Sequence, residues 1–287
     1  MGLRRRLYTG IRIARDSIDV LRDHPNLLWF PVLAGVAGVA FVALLLGGAL
    51  GVVPVVGAEN VPDAAVWAAL AAAYLGTSYV TVLFTAGLMY AAKDALEGRQ
   101  PSVRGGLRGA WEHKWTLLAW AVVSAVVGLV FRALQESDNI GSVVAGVLLS
   151  MSWAVVTYFA VPVVVFEDEG IRGLFGRSVD IVRDTWGESL GAEFGLGFVY
   201  ALAFLGVAVV AAVVGFVFGV GTAVAVGLPL GVVLFVFAAT LNGIAKVALY
   251  EYATTDEPPK YFENIDFDVG GDGDRRQTPT GYVRGRI

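Results

Sequence analysis

The chain has 287 residues, 56% of them hydrophobic and only 16% charged, with a formal net charge of -4 and no cysteine. So few charges cannot clothe a soluble domain of this size, and lipid is the solvent expected around most of its surface. The small net charge argues against a nucleic-acid partner, and the missing thiols exclude disulfides, thiolate nucleophiles and Cys-based metal sites.

The first predicted element is amphipathic. Leu3, Leu7, Ile11, Ala14, Ile18 and Leu21 recur at steps of four and three, one stripe of a helix, with Arg12, Arg15, Asp16, Asp19, Arg22 and Asp23 around the rest. Pro25 then breaks the pattern. Arg4, Arg5 and Arg6 resemble the basic start of a signal peptide, but the first apolar block, 27–53, far exceeds a signal core of about 7–15 residues. That block is expected to stay in the protein as its first span.

Five more blocks follow, at 65–92, 116–134, 140–165, 194–214 and 221–249. A helix of about 20 residues crosses about 30 Å of hydrocarbon, and all six come close to that or exceed it. No polar loop separates the last two blocks, yet one helix over 194–250 would run about 85 Å, more than any bilayer holds. A tight turn is therefore predicted within Gly215-Phe-Val-Phe-Gly-Val-Gly221, with Pro229 kinking the helix after it. Strand-like alternation is absent, which disfavours a barrel.

Two further amphipathic segments stand before the third and fifth spans. Val103, Leu107, Trp111, Trp115 and Leu118 form one stripe, with Arg104, Arg108 and Glu112 off it. Ile171, Phe175, Ser178, Val182 and Trp186 form the other, beside Arg177 and Arg183. The first and third segments also repeat a sequence: Ser17-Ile-Asp-Val-Leu-Arg-Asp23 matches Ser178-Val-Asp-Ile-Val-Arg-Asp184 at four of seven positions. The predicted fold class is thus all-α, a membrane bundle of six spans in three hairpins, each preceded by an amphipathic helix.

Orientation follows from the cations. Six Lys and Arg precede the first span, five lie in 93–115, three in 166–193 and six from Lys246 onward, which leaves only Arg132 for the other side. The positive-inside rule places both termini and the two long loops in the cytoplasm of a cell membrane, an orientation that five or seven spans would break. Residues 1–255 read as the membrane domain and 256–287 as an acidic, Gly- and Pro-containing, mostly disordered tail, in which Tyr261-Phe262 and Ile265–Phe267 could dock as a short clamp.

Chemistry is scarce. The central thirds of the spans carry no Asp, Glu, Lys, Arg or His, whereas a membrane enzyme or ion-coupled transporter places such groups inside the bundle. Lys93, Arg132, Glu193 and Lys246 stand near span ends, where snorkelling accounts for them. Tyr74, Ser78, Thr81 and Thr85 form a polar stripe on the second span that would line a path or hydrogen-bond to neighbouring carbonyls. Asn242 and Lys246 share a face of the sixth span and could hold an anionic headgroup or serve as packing glue. Gly47/Gly51, Gly191/Gly195, Gly215/Gly219 and Gly227/Gly231 are spaced for close helix approach. His24 and His113 read as solvated at helix ends. No phosphate loop, nucleophile elbow, zinc set or calcium loop occurs, so no catalytic residue, metal or cofactor is expected.

Three short runs carry a resemblance: Pro162-Val-Val-Val-Phe-Glu-Asp-Glu-Gly170, Leu174-Phe-Gly-Arg-Ser178 and Asp184-Thr-Trp-Gly187. This order resembles six-span membrane families of unknown function from archaea and bacteria, and the Arg-rich, Asp-rich composition fits a haloarchaeal member. More remotely it is similar to the membrane domain attached to some glycerophosphodiester phosphodiesterases, though the acid and His clusters of that barrel are missing. The resemblance implies fold and location and carries over no catalysis. The function expected is that of a non-enzymatic membrane protein whose Arg12, Arg15, Arg22, Arg104, Arg108, Arg177, Arg183 and Lys246 engage anionic lipid or a protein partner, a second copy included. The alternative is a transporter or permease-like component for an apolar or amphipathic solute.

Overall fold

A computed structural model describes residues 3–56, 61–137, 139–184, 186–255 and 257–263, with side chains over 11–48, 61–137, 139–183, 197–255 and 257–263. The tail from 264, the Gly191/Gly195 pair and the side chains of Leu3 and Leu7 lie outside what is described. Every regular element among the described residues is helical: α1 Leu3–Asp23, a 3-10 turn Pro25–Leu28, α2 Trp29–Val56, α3 Asp63–Leu96, α4 Val103–Glu112, α5 Lys114–Gln135, α6 Ile140–Val156, α7 Ala160–Glu167, α8 Ile171–Asp184, α9 Trp186–Phe218 and α10 Val220–Thr255. Six stretches are long and apolar enough to cross a membrane: Pro25–Gly48, Asp63–Leu96, Lys114–Gln135, Ile140–Glu167, Gly197–Phe218 and Val220–Thr255. They suggest a membrane protein. Their outer faces carry large exposed side chains such as Leu44, Leu70, Phe216 and Phe235, a surface that water would not tolerate.

The packing order is regular. α2 lies along α3, α5 along α6 and α9 along α10, while α3, α7 and α10 touch one another. Each short amphipathic element rests on one of these: α4 on α3, α8 on α7 and α6, and α1 on α9 and α10. The buried core, to which α1 and α8 contribute and on which α4 packs, is built from Ile13, Val20, Phe30, Ala92, Phe159, Ile244 and Leu249. A second cluster around Leu117, Trp120, Val164 and Leu174 joins α5, α7 and α8. Toward the opposite end the helices bury little: in α3 every buried residue lies between Ala86 and Leu96.

Small residues set the closest crossings. A Cβ on Gly106 would strike the Gly87 carbonyl oxygen, so α4 meets α3 backbone to backbone. Gly215 faces Ala223 and Gly227 faces Ala211, which holds α9 against α10. The turn between those helices is the single residue Gly219, at φ +92, a conformation that costs glycine little and falls inside the predicted 215–221 segment.

Two expectations need correction. The fourth span is not one helix: it breaks at 157–159 into α6 and α7. Pro162 has no N–H to return to the Tyr158 carbonyl, so it sits in the first turn of a new helix, where none is needed. The exposed N–H is recovered from outside, since the Phe159 backbone N–H donates to Ser178 Oγ at 3.3 Å. The second correction concerns α1. Its buried face is Ile13, Ala14, Ser17, Val20 and Leu21, while Ile11 and Ile18 of the predicted stripe remain exposed.

Candidate functional site

Three arrangements of polar side chains stand out, and the first is the set of arginines on the outer faces of α1, α4 and α8. Arg15, Arg22, Arg104, Arg108 and Arg183 are exposed there, and Arg12 is half-buried. Arg22 pairs with Asp19 one turn earlier at 3.2 Å, an exposed contact of little energetic weight. Ile11, Trp29, Trp111 and Trp115 are exposed as well, with Lys114 over the Trp111 ring at 5.4 Å. α4 is anchored by Ser102, whose hydroxyl accepts the Gly105 N–H at 3.0 Å as a helix cap. Asp16 on α1 is pushed above the usual carboxylate range by burial, an effect that Arg12 opposes.

The second arrangement is a knot of polar groups where α7 ends, and it absorbs Arg177. Glu167 accepts Arg177 Nε at 2.7 and 2.9 Å on its two oxygens and the Tyr250 hydroxyl at 2.8 Å. The hydrogen bond from Glu167 raises the Arg177 pKa further. Phe166 is sandwiched beside it, with Lys93 4.5 Å above its ring and Tyr250 5.3 Å away. One turn off, the Tyr90 hydroxyl donates to the Val165 carbonyl at 3.0 Å and meets His113 Nε2 at 3.0 Å, while His113 Nδ1 lies 3.0 Å from Asp168. His113 is therefore not solvated as expected, and Lys93 caps an aromatic ring rather than snorkelling freely. Asp168 takes the left-handed conformation, φ 53, to end α7.

Chemically the knot is a fastener. Glu167, Arg177, Tyr250, Tyr90 and His113 each bond to a residue of another element, which fastens the helix ends to one another. Among the described residues no group of three His, Cys, Asp or Glu side chains is placed to hold a metal ion.

The third arrangement is a cavity of about 890 Å³ bounded by α2, α3, α9 and α10. Thr81, Thr85, Asn242 and Lys246 of the predicted polar positions all line it. Tyr74 and Ser78 do not: Tyr74 stands nearly a turn beyond, with its hydroxyl toward Gly128 of α5. Thr77, which the sequence reading passed over, takes their place. The threonines present a muted polarity, since Thr77 donates to the Ala73 carbonyl at 2.6 Å and Thr81 to the Thr77 carbonyl at 2.9 Å. Lys246 lies with its ammonium 4.6 Å over the Tyr158 ring.

Residues 64–259 match a family of unknown function, DUF6159. The chain belongs to that family. The match takes in α3 through α10, including the knot, the cavity's α3, α9 and α10 walls, and all three runs of resemblance. Comparison with curated proteins and with solved structures gives no match. In this DUF6159 protein the motif residues Phe166, Glu167, Arg177 and Ser178 of the first two runs hold α7, α8 and α10 together, and the side chains of the third run, 184–187, lie outside the described residues.

Outside the matched region, the segment after α10 folds back on the bundle. Phe262 is fully buried, and the Tyr261 hydroxyl donates to Asp23 at 2.8 Å, which ties 257–263 to the end of α1. Burial, and then the bond to Asp23, raise the Tyr261 pKa.

Proposed function

We propose that this is a non-enzymatic protein of the cell membrane, with both termini cytoplasmic, that engages anionic lipid through its amphipathic helices. In this reading the six spans form three hairpins, each led by one of α1, α4 and α8 along the inner face. The observation that supports it is exposure: Arg15, Arg22, Arg104, Arg108 and Arg183 on α1, α4 and α8 are exposed, and so are Ile11, Trp29, Trp111 and Trp115. Cations meet anionic headgroups, and aromatic rings sit at the level of the headgroups. The arginine-rich composition fits a haloarchaeal source, and the remote likeness to a phosphodiesterase-linked membrane domain adds no catalytic group. The test is reconstitution with and without anionic lipid. Stability and orientation should rise with anionic lipid; indifference of both would overturn the reading, and a specific protein copurifying at this face would replace lipid as the partner.

The cavity supports a second reading, a transporter or permease-like component for an amphipathic solute. Its walls are apolar over most of their length, and its polar groups gather on α3 and α10. Such a site suits a molecule that is mostly hydrocarbon. Solute-dependent thermal stabilisation would support it, and its absence across a panel of amphiphiles would remove it.

A further inference from the structure

The cavity between α2, α3, α9 and α10 has a direction. Along α2 its lining runs from Phe30 to Leu46, about 24 Å of helix at 1.5 Å per residue, which exceeds the thickness of one leaflet's hydrocarbon, about 15 Å. At the Leu46 end the walls are wholly apolar apart from threonines already bonded to their own helix. At the Phe30 end stand Asn242 and Lys246. Between residues 240 and 250 of α10 every side chain is buried except these two, and both line the cavity. The helix thus brings Asn242 and Lys246, whose ammonium lies 4.6 Å over the Tyr158 ring, to a lining that is otherwise mostly apolar. The cavity is also open sideways: Val39, Leu46 and Phe235 belong to its lining and yet are more than half exposed.

We propose that this cavity binds one membrane lipid with an anionic phosphate headgroup, the phosphate held by Lys246 and Asn242 and the acyl chains laid along α2 toward Leu46. The inference rests on the cavity as a solute site and is independent of the basic surface of α1, α4 and α8. Its volume of about 890 Å³ lies in the range of about 300–1,000 Å³ usual for sites that enclose most of a ligand. The sideways opening lets a lipid slide in from the surrounding leaflet without leaving hydrocarbon. Charge selects the headgroup, because a zwitterionic lipid brings its own cation to Lys246.

Gly35 supplies a test that leaves the charges alone. It lines the cavity, and a Cβ built there meets nothing within 4 Å, so Gly35→Leu fills the space without forcing the fold. The full chain, purified in mild detergent, would be loaded with phosphatidylglycerol or with phosphatidylcholine of the same chains and examined by native mass spectrometry. The unaltered protein should keep one phosphatidylglycerol at activation energies that strip phosphatidylcholine. Lys246→Gln should lower that retention about tenfold or more, the effect of losing one charge-assisted hydrogen bond, and Lys246→Arg should restore part of it. Gly35→Leu should abolish the bound lipid. Arg104→Gln with Arg108→Gln should leave it in place while blunting the response of stability to anionic vesicles, which separates this site from the basic surface. Equal loss of the two lipids from the unaltered protein, or full retention in Gly35→Leu, overturns the proposal. Should Gly35→Leu fail to fold, Lys246→Gln and Asn242→Leu decide it by the same measurement.

Discussion

Ser178 Oγ, fully buried on α8, accepts the backbone N–H of Phe159 at 3.3 Å, across the break that separates α6 from α7. Its counterpart in the repeated segment, Ser17 on α1, is just as buried, but its hydroxyl has no hydrogen-bond partner among the described residues. One sequence pattern thus serves two situations, and the two serines should respond oppositely to the same change. Ser178→Ala strands a buried N–H and should cost about 1–3 kcal/mol, whereas Ser17→Ala removes an unsatisfied hydroxyl and should be neutral or stabilising. Thermal unfolding of the two variants in one detergent checks this, and equal losses would refute it.

The knot around Glu167 predicts strong coupling. Glu167→Ala leaves Arg177 and Tyr250 without their acceptor, and a loss of about 1–3 kcal/mol is expected; Tyr250→Phe should lose about 1 kcal/mol. Because Arg177 is 41% exposed, Arg177→Gln should cost less than Glu167→Ala. A double-mutant cycle on Glu167 and Arg177 should yield a coupling energy above about 0.5 kcal/mol. Strict additivity would mean that the pair does not join α7 to α8.

Glycines offer a contrast that needs no chemistry. Gly106→Ala would drive a methyl group into the Gly87 carbonyl, and about 1–3 kcal/mol of overpacking is expected. Gly47→Ala on α2 meets nothing within 4 Å and should gain up to about 1 kcal/mol from helix propensity. Melting temperatures of the two variants should move in opposite directions.

The segment after α10 should matter out of proportion to its length. Phe262→Ala empties a fully buried aromatic site, with an expected cost of about 3–5 kcal/mol, and Tyr261→Phe removes the bond to Asp23 for about 1 kcal/mol. Limited proteolysis should then cut near residue 258 in Phe262→Ala far sooner than in the unaltered chain. Equal rates would show that the segment does not dock in solution.

The spans were legible because their signal is simple: about 20 apolar residues in a row can satisfy their backbone in lipid only as a helix. The α9–α10 turn was legible for the same reason, since the apolar run was too long for one crossing and glycines marked where it could reverse. Which way the amphipathic helices face was not legible. The largest apolar residue of α4, Trp111, is exposed, as is Trp115 at the start of α5, and the buried face of α4 is Gly106 and Ala110. In α1 and α8 a serine holds the same inner position. Periodicity locates apolar stripes, but it cannot tell a stripe that meets lipid from one that meets protein, and on α4 the inner face is the small one. The cavity was half legible: Thr81, Thr85, Asn242 and Lys246 were found by spacing, whereas Tyr74 turns toward Gly128 of α5 and Ser78 gives way to its neighbour Thr77 in the lining. The knot was invisible for a different reason. Glu167 and Tyr250 are 83 positions apart, and each alone reads as a polar residue at a helix end.

The lopsided placement of the core divides the mechanical character of the molecule. Tied at one rim and loose at the other, the bundle resembles stems gathered by a single cord. A thinner or thicker bilayer would be accommodated by splaying or drawing in the free ends, and the bound rim would keep its shape throughout.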